Sequence, residues 1–371
     1  LLGMTKSFDQ LSIGHRLFDG IEVFTLDIFD DRDYQHFDIS ELADNDRDFM
    51  QTGNLSRTPT PLTRNDFDIT SAREKAAEWR NPDFYTRNVW FTDKDEDQAL
   101  SLRFTGDVFF DVQSPFQRVR ILESTKYGKM LALDDMVMTT IKDEFHYHEM
   151  ISHPSLFTLQ NAKNVLVIGG GDGGTVREVL RHSNIEKVTM VEIDGEVIKA
   201  CKEHLPEIAA AFDDPRLELI VDDGIAFVKN AADAVYDLLI VDGSDPVGPA
   251  EGLFSVDFYQ NCYRTLKADG ILVAQGESPK FNEKAFAELN QTLQGIFGKE
   301  NAPVGLFFVP TYPTGMWSFQ YGLKGTADPR KVTNTDAIKS FVAEKGLRYY
   351  NEDIHFSTFA LPNFVKQLIQ Q

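Results

Sequence analysis

The stretch VLVIGGGDGGTVREVL, which begins at Val165, limits what this chain can fold into more than any other part of it. Four apolar residues predict a buried strand, the glycines a tight turn, and the residues after them the first turns of a helix. Gly169, Gly171 and Gly174 reproduce the G-x-G-x-x-G spacing that lets backbone approach a nucleotide closely. Alone the motif is weak, because glycine-rich turns also join strands to helices for steric reasons. Three acids then follow in order. Glu192 closes a second apolar strand (KVTMVEID), where an acid commonly binds ribose hydroxyls. Asp223 closes a third (LELIVDDG) and Asp242 a fourth (YDLLIVDGSDP). Together they predict a row of carboxylates along the C-terminal edge of one parallel sheet, where open α/β sheets bind ligands.

The carboxylate inside the glycine loop narrows the ligand. Loops of this kind with the following helix N-terminus usually hold negative charge. Asp172 would repel a phosphate, so a positively charged sulfonium nucleoside such as S-adenosylmethionine fits better than a dinucleotide. A formal net charge of −21 argues against binding a nucleic-acid backbone and would steer a cationic substrate inward. No apolar run approaches the roughly 18 residues of a membrane span, and the N-terminus lacks a signal-peptide pattern. Cys201 and Cys262 both fall in the predicted α/β region and read as reduced thiols, so a cytoplasmic location is expected.

At 371 residues the chain is long for one domain and divides into three parts. Residues 1–87 hold an Asp-dense stretch and a turn-rich segment. They read as a partly ordered acidic extension with one short strand in IEVFTLDIF. Residues 88–142 carry short apolar runs with turn signals and predict a small antiparallel β domain. From 143 to 371, strands alternate with helical patterns and predict a doubly wound, mostly parallel sheet. FFVPTYP and MWSFQYGLKG would add an antiparallel edge to it.

Further groups surround the glycine loop in sequence. DEFHYHEM at 143–150 predicts the start of a helix. His148 and His153 raise a zinc reading, but H-E-x-x-x-H misses the one-face spacing of zinc helices by one residue, and no metal is expected. GSDPVGPAEGLF, after Asp242, predicts a shaped loop closing over the sheet edge, with Asp245 three positions beyond Asp242. Gln275 and Glu277 end a fifth strand. Tyr312 stands between prolines that would fix its direction.

With these residues in view, the chain resembles the polyamine aminopropyltransferases, the family of the spermidine synthases. The resemblance covers roughly residues 88 to 371. It rests on WFT at 90–92, KYGKMLALDD, DEFHYHEM, GGGDGG, VEID, DDG, VDGSDPVGPAEGLF, QGE, PTYPTG and GLRYYNEDIHFSTFALP. One departure is visible: Gly243 stands where members often carry Ser or Thr.

The resemblance implies a Rossmann-like, methyltransferase-type fold and a displacement at carbon. A primary amine attacks the aminopropyl carbon beside the sulfonium of decarboxylated S-adenosylmethionine and releases 5′-methylthioadenosine. Asp242 would act as base, with Tyr147 positioning the nitrogen. Gln117, His148, Gly169, Gly171, Asp172, Glu192 and Asp223 would hold the donor, and Trp90, Asp245, Gln275 and Tyr312 the amine. No cofactor is implied, since the donor is a co-substrate, and the partners would be small molecules and a homodimer or homotetramer. Putrescine is the expected acceptor. An amine N-methyltransferase using intact S-adenosylmethionine and a catalytically silent nucleoside-binding protein are the alternatives on this fold.

Overall fold

A computed structural model describes residues 90–94, 98–244 and 252–370, together with the strand backbone of Ser7–Phe8, Leu11–Phe18 and Ile21–Ile28. The chain forms two units, Leu1–Phe84 and Tyr85–Gln371. In the first, those three strands, β1 to β3, make an antiparallel sheet in the order β1-β2-β3. Sequence reading anticipated only β3. Asp19-Gly20 between β2 and β3 is a strong hairpin signal for the partner strand.

The second unit opens with a five-stranded antiparallel sheet. Its strands are β4 (Trp90–Lys94), β5 (Ala99–Gln113), β6 (Arg118–Ser124), β7 (Gly128–Leu133) and β8 (Met136–Thr140), paired in chain order. Alternation sorts its side chains. Val119, Ile121, Leu131 and Leu133 pack into the main core, while Leu122, Met130, Ala132 and Val137 form a smaller cluster with Phe91 and Leu102.

After helix α1 (Glu144–Thr158) comes a seven-stranded sheet. β9 (Asn164–Gly169), β10 (Lys187–Glu192), β11 (Leu217–Val221), β12 (Tyr236–Asp242) and β13 (Leu266–Gln275) run parallel. β14 (Val304–Phe308) and β15 (Met316–Leu323) complete the order β11-β10-β9-β12-β13-β15-β14, with β15 antiparallel to both its neighbours. The helices are α2 (Gly174–Leu180), α3 (Gly195–His204), α4 (Gly224–Asn230), α5 (Val256–Thr265), α6 (Glu283–Phe297), α7 (Thr335–Lys345), α8 (Glu352–Ser357) and α9 (Asn363–Leu368). The expected antiparallel edge is present, with its first strand displaced towards the N-terminus because Pro310 and Pro313 cannot pair within a ladder.

Both faces of the parallel strands are covered, which explains their unbroken apolar runs. Val165, Val167, Leu238 and Ile240 point to the side that carries α1, α2 and α3. Leu166, Ile168, Leu239 and Val241 point to the side of α4, α5 and α6. The strand order reverses between β9 and β12, which puts the binding crevice at their carboxyl ends. Among the described residues no helix is long and apolar enough to cross a membrane.

Helix α1 is fixed at its start and in its middle. Asp143, just before it, accepts hydrogen bonds from the Thr140 hydroxyl (2.5 Å) and from the backbone N–H and hydroxyl of Thr311 (3.1 and 2.7 Å). Glu149, in mid-helix, accepts the backbone N–H groups of Arg348, Tyr349 and Tyr350 at 2.8–2.9 Å. Glu149→Ala would leave those three donors without an acceptor. It should cost about 3 kcal/mol or more, read as a lower urea midpoint, and Glu149→Gln should lose less. An unchanged midpoint in the alanine variant would remove Glu149 as a tie of the helix.

Candidate active site

A cavity of about 810 Å³ occupies the crevice. The ends of β9, β10, β12 and β13 line it with Gly169, Gly171, Glu192, Asp242 and Gln275. The glycine loop adds Asp172, the start of α4 adds Asp223, and α1 adds Glu144, Tyr147 and His148. Gln117 enters from the turn before β6, Tyr312 from the β14–β15 connection and Trp317 from β15.

The glycine loop starts where β9 and β12 end side by side. Gly169 pairs with Asp242, and the Gly170 N–H donates to the Asp242 carbonyl at 2.9 Å. Gly169 has φ +81, and a Cβ there would fall 2.2 Å from that carbonyl oxygen, so only glycine fits. This close approach sets the Asp242 side chain over the loop.

Asp242 carries two hydroxyl donors, Tyr147 on Oδ1 at 2.7 Å and Thr175 on Oδ2 at 2.6 Å. Burial and nearby Asp172 raise its pKa, against the opposing pull of His148, Thr175 and Tyr147. Burial and the neighbouring Asp242 carboxylate push the Tyr147 phenol upward, so it stays a donor. Its ring lies edge-on to Phe319 at 4.9 Å and to Tyr312 at 6.1 Å. Tyr312 in turn packs edge-on against Trp317 at 4.9 Å and donates its hydroxyl to the Met138 carbonyl at 2.7 Å.

Asp172 is part of an ion pair. Its Oδ2 lies 3.2 Å from His148 Nε2, and its Oδ1 accepts the Gly174 N–H at 2.8 Å. The other ring nitrogen of His148 contacts Glu144 at 2.6 Å. Burial opposes charge on this ring, but the two carboxylates prevail and push its pKa up to about 10. That direction favours the protonated ring, and the pull of His148 holds Asp172 below the ordinary carboxylate range although burial works the other way.

On the donor side, Glu192 accepts the Asp194 N–H at 2.9 Å, and burial raises its pKa to about 7. Gln117 donates to Asp194 at 3.0 Å, which ties the β6 turn to the start of α3. Asp223 caps α4 through the Ile225 N–H at 2.8 Å. Gln275 donates to Glu277 at 2.8 Å, and Asn282 donates to the other Glu277 oxygen.

Trp90, on β4, is 53% exposed, and among the described residues Trp317 lines the cavity. Asp245 lies outside the described residues, as does most of the loop following it. His153 points away from His148 and pairs with His182 at 3.0 Å and Glu178 at 3.1 Å. Sequence reading missed Thr175 and Glu144. Thr175 follows the glycine motif directly, and Glu144 stands four residues before His148, on the same helical face.

Comparison with known proteins places the chain in a family. Residues 144–331 match the spermine/spermidine synthase domain, and residues 89–140 the spermidine synthase tetramerisation domain. A polyamine aminopropyltransferase of Moorella thermoacetica is 45% identical over 285 residues, spanning 76% of this chain and 97% of that protein. Two crystal structures superpose well. A spermidine synthase bound to the transition state analogue AdoDATO has TM-score 0.73 and 39% identity, covering 76% of this chain and 96% of that one. The spermidine synthase of Thermotoga maritima has TM-score 0.72 and 39% identity, covering 76% of this chain and 95% of that one. This chain therefore belongs to the polyamine aminopropyltransferase family of enzymes, the spermine and spermidine synthases.

Proposed function

We propose that this enzyme transfers the aminopropyl group of decarboxylated S-adenosylmethionine to putrescine, giving spermidine and 5′-methylthioadenosine. The observation that carries the reading is the Asp242 carboxylate, held by Tyr147 and Thr175 at the mouth of the glycine loop. An alkylamine has a pKa near about 10 and arrives protonated, so it needs a base before it can attack. Asp242 takes a proton from the ammonium. The nitrogen lone pair attacks the methylene beside sulfur, and the carbon–sulfur bond breaks with its electron pair on sulfur. Tyr147 and Thr175 keep the carboxylate aimed at the nitrogen, and alignment of nitrogen, carbon and sulfur supplies further rate. The sulfonium is already an activated leaving group, so the reaction calls for no metal or prosthetic group.

Donor recognition follows from charge. Glu192 would accept the ribose hydroxyls and Asp223 the adenine amino group. Asp172 would receive the ammonium of the aminopropyl tail, next to His148, with Gln117 along the chain. Tyr312, Gln275 and Asp245 would face the amine, whose second ammonium needs an acidic end. The match of residues 89–140 to a tetramerisation domain supports a homotetramer. The Cys201 and Cys262 thiols are free and buried, which supports a cytoplasmic location.

Asp242→Asn keeps an acceptor for one hydroxyl and should fold, but it should lower turnover by at least about 10²-fold. Near-normal turnover in that variant would exclude Asp242 as base. By calorimetry, decarboxylated S-adenosylmethionine should bind at least about tenfold tighter than the intact form, whose extra carboxylate faces Asp172 and Asp242. Equal affinities would point to methyl transfer instead. Across putrescine, cadaverine, agmatine and spermidine, kcat/KM should be highest for putrescine with cadaverine close behind, since one methylene is worth about 1–3 kcal/mol. A preference above about tenfold for agmatine or spermidine would overturn the diamine assignment.

A further inference from the structure

Glu144 opens α1 with a buried carboxylate whose two oxygens hold three cationic groups. Oε2 meets His148 Nδ1 at 2.6 Å and Arg177 at 2.7 Å, and Oε1 meets Arg348 at 3.1 Å. The His148 ring lies against Gly174, where an added Cβ would fall 2.2 Å from it, so the ring occupies the space a side chain there would need. With a carboxylate at each ring nitrogen, the imidazole donates to both only when doubly protonated.

We propose that Glu144 is a positioning residue for aminopropyl transfer: it fixes His148 as a cation beside the glycine loop, so that Asp172 and Asp242 can both stand charged while they await cationic substrates. This rests on the roles given above to Asp172 and Asp242. Two carboxylates sharing a half-buried site normally share a proton, and the one that keeps it cannot act as base. Asp172 pushes Asp242 in that direction, and His148 opposes it. Glu144 stays ionised despite burial because His148 and Arg177 face it. Arg177 is itself anchored, its Nε on Glu178 at 2.9 Å. The groups around His148 are therefore Glu144 and Tyr147 on its own helix, Asp172 and Arg177 on the glycine loop and α2, and Asp242 on β12. Arg348 acts through Glu144, Tyr312 faces Tyr147, and the Cys201 thiol of α3 lies near Asp172.

The test combines a titration with a pH profile. In the full-length enzyme labelled with ¹⁵N-histidine, long-range proton–nitrogen spectra should show the His148 ring, assigned by its loss in His148→Gln, doubly protonated at pH 8. In Glu144→Gln that signature should vanish, and the acid limb of kcat/KM should move up by about one pH unit. At the acid end that is about a tenfold loss relative to wild type, with recovery at higher pH. A neutral His148 in the wild-type enzyme at pH 8 would overturn the proposal even if Glu144→Gln does not fold. So would an unmoved acid limb in a Glu144→Gln enzyme of normal thermal midpoint. Asp242→Asn, assayed alongside, separates the two readings. An active Asp242→Asn enzyme defeats the base assignment itself, whereas an inactive one with an unmoved Glu144→Gln limb defeats only this inference.

Discussion

The site depends on two strands ending side by side. β9 and β12 are not consecutive in the chain, yet they pair in parallel from Val165 opposite Leu238 to Gly169 opposite Asp242. Where the pairing stops, β9 turns away and its glycine passes against the Asp242 carbonyl. A side chain at Gly169 would force the strands apart, and with them the base and the loop that bears Asp172. The apolar alternation that buries Val167 on one face and Ile168 on the other thus also sets a register for the chemistry.

Around this junction the molecule has to keep several acids in one partly enclosed space. It does so with different partners for each. Asp242 receives hydroxyls, Asp172 the His148 ring and a backbone N–H, and Glu192 a backbone N–H next to the Gly171 turn. Each partner donates hydrogen bonds without closing the cavity to a cationic ligand. The acids differ in proton affinity accordingly: Asp172 is held low, Asp242 is raised and Glu192 reaches about 7.

The strand ends were legible because the central parallel strands leave apolar runs, and β10 and β12 end on an acid while Asp223 follows β11. Glu192, Asp223 and Asp242 could therefore be placed along one edge before any coordinates. The ionic partner of Asp172 was less visible, since His148 lies on a helix that precedes the whole parallel sheet and reaches the loop only through packing. Thr175 escaped notice because a threonine beginning a helix ordinarily signals a cap, not a donor to a strand end 67 residues later. The motif that holds Trp90 does not say which way β4 faces, and that side chain is 53% exposed. The first hairpin was passed over for a local reason, as Gly14 and His15 blur the alternation of β2.

Glu149 ties α1 to backbone that the chain reaches 199 to 201 residues later. On a ribosome, the helix bearing Tyr147 and His148 emerges first and the glycine loop and Asp242 follow, but the three N–H groups that hold the helix arrive near the end of synthesis. A fragment that stops short of Arg348 keeps the tie of Asp143 to Thr311 but lacks the three donors that hold the middle of the helix bearing Tyr147 and His148. That second fastening therefore closes only late in synthesis.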